Sequence, residues 1–287
     1  MTSSDFVMNN ELPIRLGFFF SIFGLMAVWE ILAPRRSLHA SKIVRWTNNL
    51  GLVFFNTLVL RLLIPAAAVG TAFFAIEQGW GWFNHFVAPF WVSVLASVLV
   101  MDFFIWLQHV MVHAVPVLWR LHRVHHADLD FDVTTGTRFH TLEILLSMLI
   151  KVAVIVLLGP PVLAVVLFEV ILNATSMFNH ANVKIPAALD RFFRHIVVTP
   201  DMHRVHHSIE DDEINSNFGF NLPWWDRLFG TYRAEPRAGH QGMAIGIRAF
   251  RTDKWCSWLP GLLAIPFVGK AQNYAINRRK WDRDNKP

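Results

Sequence analysis

The stretch Ala88-Pro-Phe-Trp-Val-Ser-Val-Leu-Ala-Ser-Val-Leu-Val-Met-Asp-Phe-Phe-Ile-Trp-Leu107 runs straight into Gln108-His109-Val-Met-Val-His113. An apolar run of this length spans a bilayer core of about 30 Å. Two histidines one helical turn apart follow at its end. Two further clusters repeat the theme, His122-x2-His125-His126 and His203-x2-His206-His207, so eight of the 14 histidines fall in three short boxes. Offsets of three and four put side chains on one helix face. Imidazoles aimed the same way make poor core and poor surface but good transition-metal ligands. A single zinc takes about four ligands, and only three from protein when catalytic. Eight clustered imidazoles overfill one such site and suit two metal ions held close together, each keeping an open position. The H-E-x-x-H arrangement of zinc proteases is absent. The competing reading, three unrelated structural or adventitious histidine groups, fits a lone HxxxH better than three boxes beside hydrophobic spans.

The composition agrees with a membrane protein. The 287 residues are 54% hydrophobic and 16% charged, with a mean hydropathy of +0.37, too apolar for an ordinary soluble domain. The net charge of +5 is more economically topological than nucleic-acid-binding, and no interleaved basic and aromatic platform is present. Cys256 is the one cysteine, which excludes intrachain disulfides, iron–sulfur clusters and Cys-ligated zinc. Haem-attachment and G-x-G-x-x-G motifs are also missing. Met1 to Asn10 lacks the basic region of a cleaved signal peptide, so the first apolar run is expected to remain as an anchor.

Four stretches read as membrane-embedded: Leu16 to Leu32; Leu50 to Ile76, interrupted by Arg61 and Pro65; Ala88 to Leu107; and Leu142 to Phe178, broken by Gly159-Pro160-Pro161. The last would be about 55 Å long as one rod, so a helical hairpin turning at Gly-Pro-Pro is expected. The expected fold is an all-α integral-membrane bundle of four to five spans with a cytoplasmic helical cap. The segment after the first span carries Arg35, Arg36, Lys42 and Arg45, whereas Glu77 to Pro89 carries no lysine or arginine. The positive-inside rule then puts the first loop, and after two crossings the first two histidine boxes, in the cytoplasm. The hairpin returns the third box to the same side. Arg61, Lys151 and Glu169 lie inside apolar runs, as a structural pair, an interfacial snorkel or a tunnel lining.

One domain is expected over 1–287: N-terminal helices over 1–99, the histidine-box region with its hairpin over 100–235, and an interfacial segment with a basic tail over 236–287. Within the last, Trp255 to Val268 reads as interfacial or re-entrant, and Arg278-Arg279-Lys280 as a solvated end near lipid head groups.

The boxes and their surroundings resemble the fatty acid hydroxylase superfamily, often called the sterol desaturase family. The resemblance runs from about Val100 to Thr231. It is carried by Asp102-Phe-Phe-Ile-Trp-Leu-Gln-His109, Leu118-Trp-Arg-Leu-His-Arg-Val-His-His126, Arg138-Phe-His-Thr-Leu-Glu143, Phe178-Asn-His-Ala-Asn182, Thr199-Pro-Asp-Met-His-Arg-Val-His-His207, Asn217-Phe-Gly219 and Trp225-Asp-Arg-Leu-Phe-Gly-Thr231. Thr141 stands where the family often has proline. The resemblance implies an integral-membrane, non-haem di-iron enzyme that uses O2 on lipids, in the bacterial inner membrane or the endoplasmic reticulum. It also implies a further ligand between the second and third boxes, a place that His180 occupies. The implied ligand set is His109, His113, His122, His125, His126, His180, His203, His206 and His207. His140 is expected to be a supporting residue or a tenth ligand. Asp102, seven residues before His109, is weighed as an acceptor for a ligand N–H, with Glu143 and Asp226 as weaker candidates of the same kind.

Two iron ions suit the imidazole set, with O2 as co-substrate. Hydroxylation comes first and desaturation second, since both use the same site. No flavin, haem or iron–sulfur motif is present, so electrons are expected from a separate donor of ferredoxin or cytochrome type, steered by Arg120 and Arg123. The substrate is expected to be a lipid, no nucleic acid is expected to bind, and the sequence sets no oligomeric state. A metal transporter or sensor is the alternative from another class, disfavoured because transporters place their ligands near the bilayer midplane.

Overall fold

The computed structural model describes residues 10–270, which are helical with no strand among them. Helices α1 (Glu11–Leu32), α2 (Lys42–Leu63), α3 (Ala67–Glu77), α4 (Phe90–Ala114), α5 (Pro116–His126), α6 (Thr141–Leu158), α7 (Val162–Asn179) and α8 (Pro200–His206) carry the architecture. Five segments are long and apolar enough to cross a membrane: α1, the stretch Lys42–His85 that contains α2 and α3, α4, α6 and α7. Their outer faces expose large apolar side chains such as Phe20, Leu32, Phe54, Leu62, Trp91 and Leu157. A water-soluble protein would bury such a continuous apolar surface, and lipid tails cover it at no cost. The protein is therefore an integral membrane protein.

Local chemistry explains the breaks. Pro65 ends α2, and Ile64 before it leaves the helical region. The expected hairpin turns at Gly159, which adopts a left-handed φ of 61° at the end of α6 before Pro160 and Pro161 start α7. A side chain on Gly81 would overlap the Gly159 backbone. The loop after α3 and the hairpin turn therefore touch at one end of the bundle, and the histidines gather at the other.

α4 extends past the expected Leu107 to Ala114. A helix does not stop where residues become polar, and here it stops only where Val115 turns extended before Pro116. The last two turns of this span thereby present His109 and His113. Proline at the first position of α5 costs no hydrogen bond, so α5 starts at once and packs against α4.

The first basic loop lies at the histidine end. Arg35 pairs with Asp201 at 3.0 Å, and the Arg36 backbone N–H donates to Asn182. Arg45, fully buried, donates to Asp128 at 2.7 Å and to Asp132 at 2.5 Å, tying α2 to the loop before α6.

The segment Trp255 to Val268 packs one face on the bundle: Cys256, Leu262 and Ile265 are fully buried against Leu52, Trp119 and Val124, while Trp258 and Phe267 stay exposed. Arg120 and Arg123 also hold the C-terminal turns. Arg120 donates to the Pro266 and Gly269 carbonyls, and Arg123, itself buried, donates to those of Ile265, Val268 and Lys270. They satisfy carbonyls that the short C-terminal turns leave open. Arg278, Arg279 and Lys280 lie outside the described residues.

Candidate metal centre

Three helices and two helix ends converge on one buried volume. α4 supplies His109 and His113, α5 supplies His122, His125 and His126, and α8 supplies His203 and His206. His180 and His207 cap the C-termini of α7 and α8. Thr199 starts α8 by accepting from the Met202 N–H, with Pro200 at its first position, a sequence-legible helix start that aims the third box inward.

The nine histidines divide into two groups. His109, His113, His122, His126 and His206 form one, and His125, His180, His203 and His207 the other; within each, one donor atom per residue lies within 4.8 Å of all the rest. The contacts are through Nε2. His109 and His122 meet at 3.1 Å, His113 and His126 at 3.1 Å, and His126 and His122 at 3.2 Å. In the second group His180 lies 3.1 Å from His125 and 3.2 Å from His207.

Four of the outward nitrogens are held by the protein. His109 Nδ1–H donates to the Phe218 carbonyl, His180 to Ser176 and His206 to Ser216, each at 2.7 Å. His122 Nδ1 meets Glu143 Oε1 at 2.6 Å. Each bond leaves the lone pair on Nε2, the atom that faces its neighbours. Burial, followed by the neighbouring imidazoles, holds the pKa values of His125, His126, His203 and His207 well below the ordinary histidine range. Burial does the same to His206, and lowers His180 to about 3. These rings are neutral at physiological pH and carry lone pairs.

The donor set fits metal ions. Buried lone pairs facing one another at about 3 Å repel unless a cation sits among them, and the His206 Nε2 atom has no hydrogen-bond partner among the described residues. Donor atoms about 3 Å apart stand as close as imidazoles that share one ion. Five donors in one group also exceed the four of a tetrahedral zinc site.

The supporting residues sort differently from their sequence expectation. Glu143, a weaker candidate, is the carboxylate that contacts a box histidine. Asp102 does not: its carboxylate accepts from Trp225 Nε1 at 2.7 Å, because the short helical turn Trp224–Leu228 folds that ring over its face of α4. Asp226 acts one step further out. It accepts from Trp106 Nε1 and from the Phe218 and Gly219 N–H groups, and so fixes the loop whose carbonyl holds His109. His140 stands outside both groups; its Nδ1 accepts from the Leu142 N–H and thus caps α6. Thr141, the departure from the family pattern, starts α6 and donates to Asn56.

Residues that no motif flagged complete the site. Phe139 stacks on His125 with centroids 4.4 Å apart, and Phe220 lies 5.0 Å from His109. A side chain on Gly136 would overlap the Ser176 carbonyl that holds His180. Glycine between two threonines before an Arg-Phe-His run was the only sequence signal for this close approach.

A cavity of about 270 Å³ opens from His109 and His122 into the bundle, bordered by Met148 of α6 and Leu172 of α7. It is large enough to admit part of an acyl chain but not a whole lipid.

Glu143→Gln is expected to lower metal affinity about 10–100-fold, because the amide cannot stabilise the His122 Nδ1–H as a carboxylate does. Metal titration followed by elemental analysis reads this out, and unchanged affinity would show the contact to be structural.

A family model for fatty acid hydroxylases matches residues 93–231. An ornithine lipid hydroxylase of Rhizobium tropici is 28% identical over 75% of this chain and 64% of its own length. The human alkylglycerol monooxygenase is 28% identical over 62% of this chain and 36% of its own, and the human cholesterol 25-hydroxylase 28% over 46% and 47%. The chain thus spans less than two thirds of these relatives. No solved structure matches it significantly.

Proposed function

We propose that the chain is a member of the fatty acid hydroxylase superfamily and an O2-dependent di-iron enzyme that hydroxylates an unactivated C–H bond of a membrane lipid. The observation that carries this is the pair of buried imidazole groups, one of which borders, through His109 and His122, a cavity between membrane spans. The relatives are hydroxylases and monooxygenases acting on an ornithine lipid, an alkylglycerol and cholesterol, which favours hydroxylation over desaturation. The histidine groups lie at span ends rather than at the midplane, which disfavours transport.

His109, His113, His122, His126 and His206 would hold one ion, and His125, His180, His203 and His207 the other. Bound iron would supply O2 activation and hydrogen abstraction. The protein does the rest. Glu143 keeps the proton on His122 Nδ1 and the lone pair on Nε2. The Phe218, Ser176 and Ser216 carbonyls set the tautomers of His109, His180 and His206 in the same way. Phe139 and Phe220 cover the imidazoles and keep water from them. The cavity walls choose which carbon of the lipid reaches the centre.

Electrons come from a separate ferredoxin- or cytochrome-type donor. The basic first loop, packed against the histidine end, favours a cytoplasmic location for the centre.

The test is the purified protein with the candidate lipids its relatives suggest. About two irons per chain, with O2 consumed on reduction and a hydroxylated lipid detected by mass spectrometry, is the expected result. Exchangeable zinc without O2 uptake would sink the reading.

A further inference from the structure

The segments that follow α7 carry an exposed apolar face. In the short helix Ala187–Phe193 the inward residue Asp190 pairs with Arg194 at 2.6 Å. Leu189, Phe192 and Ile196 recur at helical spacing on the outside, with Phe192 59% exposed. The turn Trp224–Leu228 continues this face through Trp224, Leu228 and the following Phe229, with Leu228 70% exposed. The two pieces are joined. Trp224 Nε1 donates to the His195 carbonyl at 2.7 Å, and Arg227 donates to that of Arg194 at 3.0 Å.

Membrane spans bound this face on two sides. Trp225 lies against Phe103 of α4 and Phe229 against Trp106, with ring centroids 5.2 Å and 4.7 Å apart. Phe103 and Trp106 precede His109 by about 9 Å and 5 Å along the span. On the other side the Lys184 N–H donates to the carbonyl of Ala33, which ends α1 just after the exposed Leu32. The apolar face therefore continues the lipid-covered surface of α4, and Lys184 stands where α1 leaves the hydrocarbon. Tryptophan gathers at the same depth.

Cations border the face. Lys184, Arg191 and Arg227 line an open cavity of about 640 Å³, roomy enough for a phospholipid head group. The carboxylates on its walls are engaged: Asp190 with Arg194, Asp201 with Arg35, and Glu235 with His240. Lys184 and Arg191 are exposed and make no ion pair among the described residues. With the apolar face in lipid, these two cations stand at the level of the phosphates.

We propose that the helix Ala187–Phe193 and the turn Trp224–Leu228 form an interfacial platform, which lies in the leaflet at the histidine end and binds anionic phospholipid head groups through Lys184 and Arg191. Its apolar residues reach the acyl boundary. Asp226, on the buried side of the same turn, holds the loop whose Phe218 carbonyl holds His109. The platform therefore fixes the depth of the histidine centre against the lipid surface.

The test is bimane fluorescence on the full chain, reconstituted in phosphatidylcholine vesicles that contain phosphatidylglycerol. Single labels go on Phe192→Cys, on Leu228→Cys and, as an aqueous reference, on Glu210→Cys, whose native side chain is exposed. Cys256 is fully buried, and the unsubstituted chain checks that it stays unlabelled. The quenchers are iodide in the water and a lipid with a nitroxide on its acyl chain. The expected result is that the nitroxide lipid quenches the labels at positions 192 and 228, while iodide quenches the one at 210. At equal mole fraction, nitroxide phosphatidylglycerol should quench the label at 192 about twofold or more strongly than nitroxide phosphatidylcholine. Each basic residue near the surface enriches anionic lipid roughly fivefold. Lys184→Gln combined with Arg191→Gln should abolish that difference. Iodide reaching 192 and 228 as readily as 210 overturns the proposal. So does shielding from both quenchers, which would mark a second copy or another protein as the occupant. Equal quenching by the two nitroxide lipids, or a preference that survives the loss of both cations, overturns the head-group site. Both labelled positions are exposed, so the substitutions leave the packing intact. Metal content and O2 uptake do not enter the measurement, so this proposal and the oxygenase reading fail separately.

Discussion

Replacing His206 with alanine is expected to empty the five-histidine group and abolish lipid oxygenation, with a loss well beyond the roughly 10–100-fold that an outer-shell partner costs. His206 is the informative choice because its two nitrogens have separate duties. Nδ1 donates to the Ser216 carbonyl at 2.7 Å, which fixes the ring, while Nε2 faces the other imidazoles with no hydrogen-bond partner among the described residues. Alanine removes both, but the carbonyl lost is a single backbone acceptor, worth about 1 kcal/mol. The fold should therefore survive while the metal does not. Elemental analysis should show iron falling from about two per chain towards one, with no product in the lipid assay. A variant that keeps its full metal content would end the assignment of His206 as a ligand.

The second large effect is on stability against pH. The metal-free protein is expected to lose stability steeply as the pH falls below about 6.5. His125, His126, His203, His206 and His207 are held well below their ordinary values, chiefly by burial, and His180 at about 3. Their folded pKa values lie beneath the unfolded one, so the unfolded chain takes up protons that the folded chain refuses. The contribution is complete above about pH 6.5 and is lost progressively below it, at up to about 1.4 kcal/mol per pH unit for each histidine. Because these rings titrate together, the loss is cooperative. Bound metal opposes it, since ligand at about a thousand times its dissociation constant stabilises the folded state by about 4 kcal/mol. Thermal unfolding in detergent from pH 8 to pH 5, with and without chelator, measures both effects. A midpoint independent of pH in the chelated protein would contradict the burial of neutral imidazoles.

Much of this site is legible in local patterns. Offsets of three and four residues put box histidines on common helix faces, and a helix obeys that periodicity wherever it sits. Gly159-Pro160-Pro161 breaks a helix for the same local reason, and the hairpin follows. His180, outside every box, had no such pattern behind it; the family resemblance placed it, and the structure brings it to 3.1 Å from His125.

What failed were expectations about partners distant in the chain. Asp102 has the right spacing from His109, yet its partner is Trp225, supplied by a loop more than a hundred residues away. Nothing near Arg120 and Arg123 in the sequence shows the C-terminal carbonyls they hold. Glu143 looked weaker than Asp102 because nothing in its own helix shows that His122 lies opposite.

The amino-acid order thus dictated the spans, their breaks and the aim of each histidine box, because helix geometry, proline sterics and hydropathy act over a few residues. The split of nine imidazoles into groups of five and four, the choice of Glu143 as their carboxylate partner, and the cavity ending at Arg15 and Lys151 followed from packing. Those features depend on which helices become neighbours, and neighbourhood is settled by burial and by pairing of buried charge across the whole chain.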